Sequence, residues 1–442
     1  MSSEASQASL PATSGDIMVD SIDPMMETVL GSRMSFAERL DAQILARASR
    51  LLLDLEPVLG CWWDGKSRGA EWVRCTGLGE QSAFSMTDSE DPDRDSAEFH
   101  GTPFDPKGPR FAVLLLRSQD RDDLCVRFDH VAGDGWSAKE VTHMLAEVYS
   151  RLLDDPDYVP LPRTAPRPDH SDVLNALTAE QHAAAANPPS MMNTSQWKMR
   201  LRPGSGDGLV VRTLTLSSER VAALRAYAHA RGGTVNDTLI TALVRAVESN
   251  NPQRAGLKPA VSISADTRRF ANGTNLDRLA NIATTQTVRM DFRHGESFDE
   301  TLRHVIEAVQ PYKDTLWNVH SFSDDKPLSP RTARAIFWVV ATALRVSRAG
   351  AMVTMNVGSF DEERLIFGSS SPVSAMVTGP ICRYAGFPLL ISYYRDALTL
   401  WTGFRERFIA SELVDRHLAS IDGQLVDVVG ASAGPLTQAA AG

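Results

Sequence analysis

The sequence predicts an α/β protein built as a two-lobed sandwich, and three observations lead there. Strand-like and helix-like runs alternate in both halves of the chain, the pattern of sheets covered by helices. At 442 residues the chain is longer than one hydrophobic core ordinarily serves. Residues 155 to 208, rich in Pro, Ala, Asn and Gly, separate two stretches of comparable length and read as the connection between lobes.

The elements follow in order. Residues 1–33 carry much Ser, Ala, Met and Asp with little periodicity and read as a flexible N-terminal extension. "SFAERLDAQILARASRLLLDLEP" gives an amphipathic helix, with Ser35 as N-cap, Glu38 completing a capping box and Pro57 beyond the end. "CWWDG" and "AEWVRC" are short aromatic strands. "RFAVLLLRS" and "DLCVRFDH" form the clearest pair, two strands joined by the polar turn "QDRD". After a short loop, "SAKEVTHMLAEVYSRLLDD" places Val141, Met144, Leu145 and Val148 on one helical face. These make an N-terminal lobe over 34–195.

A C-terminal lobe over 196–442 restarts with the strand "LVVRTLTL" and the helix "SSERVAALRAYAHARG", capped at Ser218 and stopped at Gly232. The helix "TVNDTLITALVRAVES" and the strands "AVSISADTRR", "TTQTVRMDF", "AMVTMNVGS", "PLLISYYRD" and "ALTLWTGF" follow, and "ASELVDRHLASIDGQLVDVV" closes as a helix. The glycines Gly204, Gly206 and Gly208 sit in the connection. They do not lie between a strand and a helix, as a phosphate-cradling loop would require.

Composition narrows the function. With 43% hydrophobic and 23% charged residues the chain is of ordinary globular type. A formal net charge of −10 with no long Lys/Arg run argues against nucleic-acid binding. It leaves room for CoA held by a few local basic residues. Cys61, Cys75, Cys125 and Cys382 show no CxxC spacing, so neither a disulfide framework nor a zinc site is expected. The start has no charged and apolar signal-peptide pattern, which gives a cytoplasmic expectation. The sequons at Asn193, Asn236 and Asn272 are then chance occurrences. "AIFWVVATAL", Ala335 to Leu344, is too short to span a bilayer and reads as a buried helix or an interfacial patch. Arg331, Arg334, Arg345 and Arg348 flank it, as a solvated face or as contacts for phosphates, an acidic carrier protein or lipid.

The run "GPRFAVLLLRSQDRDDLCVRFDHVAGDGWS" resembles the signature of the CoA-dependent acyltransferase superfamily. That group includes chloramphenicol acetyltransferase, nonribosomal peptide condensation domains and wax ester synthases. Its motif, HHxxxDG or HxxxDG, stands here as Asp129-His130-Val131-Ala132-Gly133-Asp134-Gly135, followed by Trp136-Ser137. "TVNDTLITALVRAV", "ADTRR", "LANIATT" at Leu279 to Thr285, "NVGSF" at Asn356 to Phe360 and "LLISYYRDALTLWTGF" are similar to the family and occur in its order. The resemblance implies a chloramphenicol acetyltransferase-like fold, pseudo-dimeric with a central channel. Two departures stand out: Asp129 replaces the first motif histidine, and the usual opening strand is hard to find.

An acyl thioester is already activated, so catalysis needs a base for the acceptor and donors for the oxyanion rather than a covalent nucleophile. His130 is the expected general base. By alternation Leu124, Val126, Phe128 and His130 share one strand face, which turns Asp129 away from the imidazole, as a loop-anchoring acceptor. By resemblance Asp134 is a structural anchor paired with Arg268 of "DTRR", with Arg269 as the alternative partner; capping the next helix is the other reading. Gly135 suits a turn where a side chain would block the channel or φ is positive. Trp136 either lines the acceptor pocket or belongs to the core. Asn356 and Ser359 are oxyanion or substrate-binding candidates by their place in the family pattern, or simply a strand-end turn.

The expected activity is acyl transfer from acyl-CoA or a phosphopantetheinyl thioester to a hydroxyl or amine acceptor, with no tightly bound cofactor and no metal site. A carrier protein would act in trans. "NVGSF", "TGPI" and "LLISYYRDALTL" lean toward wax ester and polyketide-associated acyltransferases, hence O-acylation. The alternatives are a condensation-like cyclase or tailoring enzyme of natural-product biosynthesis, and a non-catalytic carrier-protein-binding module.

Overall fold

The computed structural model describes residues 9–65, 69–185, 197–254, 256–270, 276–313, 330–384 and 386–429. The connection read from the sequence and the division at residue 195 fall partly outside that set, as do the sequons at Asn193 and Asn272.

The first lobe opens with β1 (Ser9–Pro11), α1 (Ser14–Ser21), β2 (Met26–Glu27), β3 (Val29–Phe36) and α2 (Ala42–Leu55). Residues 9–33 are therefore structured, which corrects the flexible extension. Thr13 and Asp16 form a capping box that starts α1. The missing opening strand is β3. It hides from period-two reading because it is buried on both faces: Arg33 lies inside, neutralised by Asp93 at 2.5 Å and Asp123 at 3.3 Å. Ser35 is part of this strand and donates to Asp123. The cap of α2 is Asp41, whose carboxylate accepts from Gln43 and Ile44 N–H.

β4 (Cys61–Asp64), β5 (Glu71–Arg74), β6 (Phe84–Asp88), α3 (Pro92–Gly101), β7 (Phe111–Arg117), β8 (Asp122–Asp129) and α4 (Gly135–Asp154) follow. The β7–β8 hairpin pairs Phe111 with Phe128 and Arg117 with Asp122. Leu124, Val126 and Phe128 face the main core under α2 and α4, while Cys125 faces a smaller cluster with Leu114 and Leu116. Truncating a fully buried ring such as Phe128 typically costs about 3–5 kcal/mol, so this strand is firmly set.

The rest comprises α5 (His170–Asn175), α6 (Ala179–Ala185), β9 (Met199–Arg200), β10 (Leu209–Leu216), α7 (Ser218–His229), α8 (Val235–Asn250), β11 (Ala260–Ala265), β12 (Thr284–Arg289), α9 (Phe298–Lys313), α10 (Pro330–Ser347), β13 (Ala349–Gly350), β14 (Met352–Ser359), β15 (Ser374–Thr378), β16 (Ile381–Cys382), β17 (Leu389–Tyr394), β18 (Ala397–Arg405) and α11 (Ser411–Val429). Ser217, rather than Ser218, caps α7.

The two main sheets exchange strands. The first runs β15-β3-β8-β7-β6, so a strand from the C-terminal half completes the N-terminal sheet. The second runs β12-β11-β14-β17-β18-β16-β2, with β10 also pairing β18, so β2 crosses the other way. The lobes are thus not separable at one point of the chain. Each has its own core, the second built from α8, α11 and the strands β10, β17 and β18.

Candidate active site

The site grows from the end of β8. Its last residue, Asp129, accepts from Val131 N–H at 3.0 Å and so caps the single turn His130–Ala132. Burial lifts the Asp129 carboxyl to about 6, an effect that Arg110, 3.8 Å away, only partly offsets. Asp129 therefore anchors the loop as an acceptor.

The His130 ring turns back on its own loop, Nδ1 lying 2.9 Å from Gly133 O. A carbonyl only accepts, so Nδ1 bears the proton and Nε2 keeps its lone pair. Burial holds the imidazole below its ordinary pKa, which favours that neutral form at neutral pH. The His130 amide donates to Thr28 O at 3.1 Å.

Asp134 both caps α4 and reaches across to the second half. Oδ1 accepts from Ser137 N–H and Ser137 Oγ, each at 3.2 Å; Oδ2 accepts from the N–H groups of Ile282 at 3.2 Å and Ala283 at 3.1 Å. Arg268 Nη1 lies 2.9 Å from Oδ2. Burial alone would raise this carboxyl; Arg268 and the N–H donors outweigh it and hold it below the ordinary range. The two readings left open by the sequence, cap and brace, are both satisfied by one carboxylate. Arg269 instead donates to Lys313 O.

Arg268 also donates to Asp266 Oδ1 and to Ala280 O, and its guanidinium lies 4.3 Å from the centre of the Trp136 ring. Trp136 is half-buried and is thus a stacking partner of the brace. Gly135 has no positive φ, which corrects one half of its expected role. A Cβ there would overlap Val357 Cγ1, so glycine permits close approach of β14 to the start of α4.

That approach brings Asn356 and Ser359 to the same seam. The Asn356 amide oxygen accepts from Gly358 N–H at 2.9 Å across a bulge of β14, where the strand pairs with β17. Ser359 is exposed, and its backbone carbonyl accepts from Lys139 Nζ at 2.9 Å. Neither side chain hydrogen-bonds to His130 among the described residues.

Three residues that support the loop went unnoticed in the sequence. Asn281, buried, donates through Nδ2 to His130 O at 2.9 Å and Val131 O at 2.8 Å. Arg167 donates to Ala132 O at 2.8 Å and Leu279 O at 2.9 Å, and its charge is met by Asp16 of α1 at 2.6 Å. Asp16 further accepts from Trp72 Nε1. Asn281 lies within "LANIATT", so its neighbourhood was visible; Arg167 sits in the Pro-rich "RTAPRPDH", where nothing local signals burial.

No family model and no curated protein matches this chain. Solved structures do. The trichothecene 15-O-acetyltransferase of Fusarium sporotrichioides superposes with a TM-score of 0.69 at 14% identity, over 95% of both chains. The first condensation domain of the CDA synthetase gives 0.63 at 18% identity, over 96% of this chain and 98% of that one. Polyketide synthase associated protein 5 from Mycobacterium tuberculosis gives 0.63 at 14% identity, over 96% and 98%. The chain thus has the same fold as these acyltransferase and condensation-domain structures, with 14 to 18% of its residues identical to theirs.

Proposed function

We propose that this protein transfers an acyl group from a thioester, on CoA or a carrier protein, to a hydroxyl or amine. The observation that carries the reading is the 2.9 Å contact of His130 Nδ1 with Gly133 O: a ring that donates there has its lone pair on Nε2. Nε2 takes the proton of the acceptor O–H or N–H as that atom attacks the thioester carbonyl. The tetrahedral oxyanion collapses, the C–S bond breaks, and the leaving thiolate recovers the proton from Nε2. Ester or amide and free thiol are the products, with no net change of protons on the enzyme.

The remaining residues act on the geometry. Asp129, Asn281 and Arg167 fix the backbone of the histidine turn, and Asp134 with Arg268 ties it to the second half. Positioning of this kind matters because a displacement near 1 Å costs on the order of 100-fold in rate. Asn356 and Ser359, on the strand that approaches α4, stay as the oxyanion candidates.

A panel of acyl-CoA and acyl-carrier donors with alcohol and amine acceptors, read by product mass spectrometry, tests the proposal with His130→Ala beside the wild type. The variant should lose 100-fold or more of the turnover, in the range general-base catalysis contributes, with its melting temperature retained. Equal turnover in the two proteins sinks the general-base assignment.

A further inference from the structure

The sequence leaves "AIFWVVATAL" as a buried helix or an interfacial patch, and the structure decides against burial. Of the eighteen residues of α10 only Ala333 and Ala341 are buried. Ile336, Trp338, Val339 and Val346 are 46%, 63%, 61% and 78% exposed. At 100° per residue these four, with Ala335 and Ala343, lie on one outward arc that runs about 17 Å along the helix.

Charge selects the partner. Residues 330–348 contain Arg331, Arg334, Arg345 and Arg348 and no carboxylate, on a chain whose net charge is −10. Only Arg334 enters an ion pair among the described residues, with Asp20 of α1. Arg345 lies over the Tyr384 ring, and Arg348, with φ of 50°, ends the helix. A second copy would set these arginines against their own kind. A carrier protein would answer the arginines but leave the apolar arc in water. An anionic bilayer surface answers both, since headgroups meet the arginines and the apolar arc enters the acyl boundary. No described helix is long and apolar enough to cross a membrane, so α10 would lie in the interface plane.

We propose that α10 is a membrane-docking helix that seats the protein on an anionic lipid surface. Its inner face rests on α1, the helix whose Asp16 holds Arg167 against the histidine turn. Docking therefore sets the lipid surface one helix away from the candidate site.

Co-sedimentation of the full chain with vesicles tests this without any acyl donor, so its outcome is independent of the acyl-transfer reading. Phosphatidylcholine vesicles are compared with equimolar phosphatidylcholine and phosphatidylglycerol. At roughly fivefold per arginine, the three outside the ion pair predict on the order of 100-fold tighter binding to the anionic vesicles, weakening as salt rises. Trp338→Glu with Val339→Glu, and separately Arg331→Glu with Arg345→Glu, should each lower binding at least about tenfold. Their melting curves should stay in place because the side chains are exposed. Failure to bind, equal binding to both vesicles, or variants that bind like the wild type overturns the proposal. So does a dimer in light scattering that Trp338→Glu abolishes, or displacement of the protein from vesicles by an acyl carrier protein.

Discussion

Replacing Asp134 by asparagine keeps the shape of the side chain and removes its charge. The amide oxygen can still cap α4 through Ser137 N–H, so the capping contribution survives. The amide nitrogen then points where Oδ2 stood, toward Arg268 and the N–H groups of Ile282 and Ala283, donor against donors. Breaking one side of a buried ion pair costs about 3–5 kcal/mol. The two lost backbone hydrogen bonds, about 1 kcal/mol each, are part of that sum. Arg268 retains Asp266 and two backbone carbonyls, which places the expectation at the lower end, about 3 kcal/mol. For a chain of 442 residues unfolding as one unit, an entropy of about 2.1 cal/mol/K per residue turns this into a melting shift of about 3 °C. Acyl transfer should fall in the same variant, because the turn presenting His130 loses its tie to the second half. Differential scanning calorimetry and turnover are read on one preparation. A variant with unchanged stability and no activity would give Asp134 a direct chemical role; one unchanged in both would show that the brace is idle.

Acid should unfold the protein early. Burial pushes His100 and His143 each down to about 4, so between the unfolded value near 6.5 and pH 4 the unfolded chain binds protons that the folded chain refuses. Stability is lost as pH falls through that window, about 3 kcal/mol per histidine at full effect. Asp129, raised to about 6, works in the opposite sense and offsets one of the two. A net loss of about 3 kcal/mol is expected in urea melts at pH 7 and 4.5, and flat stability across that range contradicts it. Gly135→Ala should push β14 away from α4 and lower activity and stability together, by about 1–3 kcal/mol; a neutral outcome would mean that Val357 can move aside. Arg167→Gln should loosen the histidine turn and leave Asp16 buried without its charge. The expected loss is about 3 kcal/mol with reduced turnover, read by thermal melts and kinetics, and wild-type values in both would dismiss the α1 brace.

The sequence by itself determined the local chemistry of the site. The strand "LCVRFD" ends at Asp129, the turn residues after it present His130, and Asp134 stands where it can cap the helix that follows; each depends on neighbours within a few positions. It also placed α2, α4, α8, α11 and the β7–β8 hairpin, whose periodicities are regular, while α9 went unread. Tertiary structure decided the rest. β3 carries Arg33 between buried neighbours, and its ladders with β8 and β15, with Asp123 beside the arginine, fix it as a strand. Residues 9–21 show no strong period of their own and gain order from Arg167, Trp72 and Asn281, which lie far along the chain. The choice of Arg268 over Arg269, the strand exchange of β2 and β15, and the outward apolar face of α10 likewise rest on contacts between distant segments. A one-dimensional pattern cannot specify which distant groups meet, because the free energy that fixes such pairs arises only once the core has brought them together.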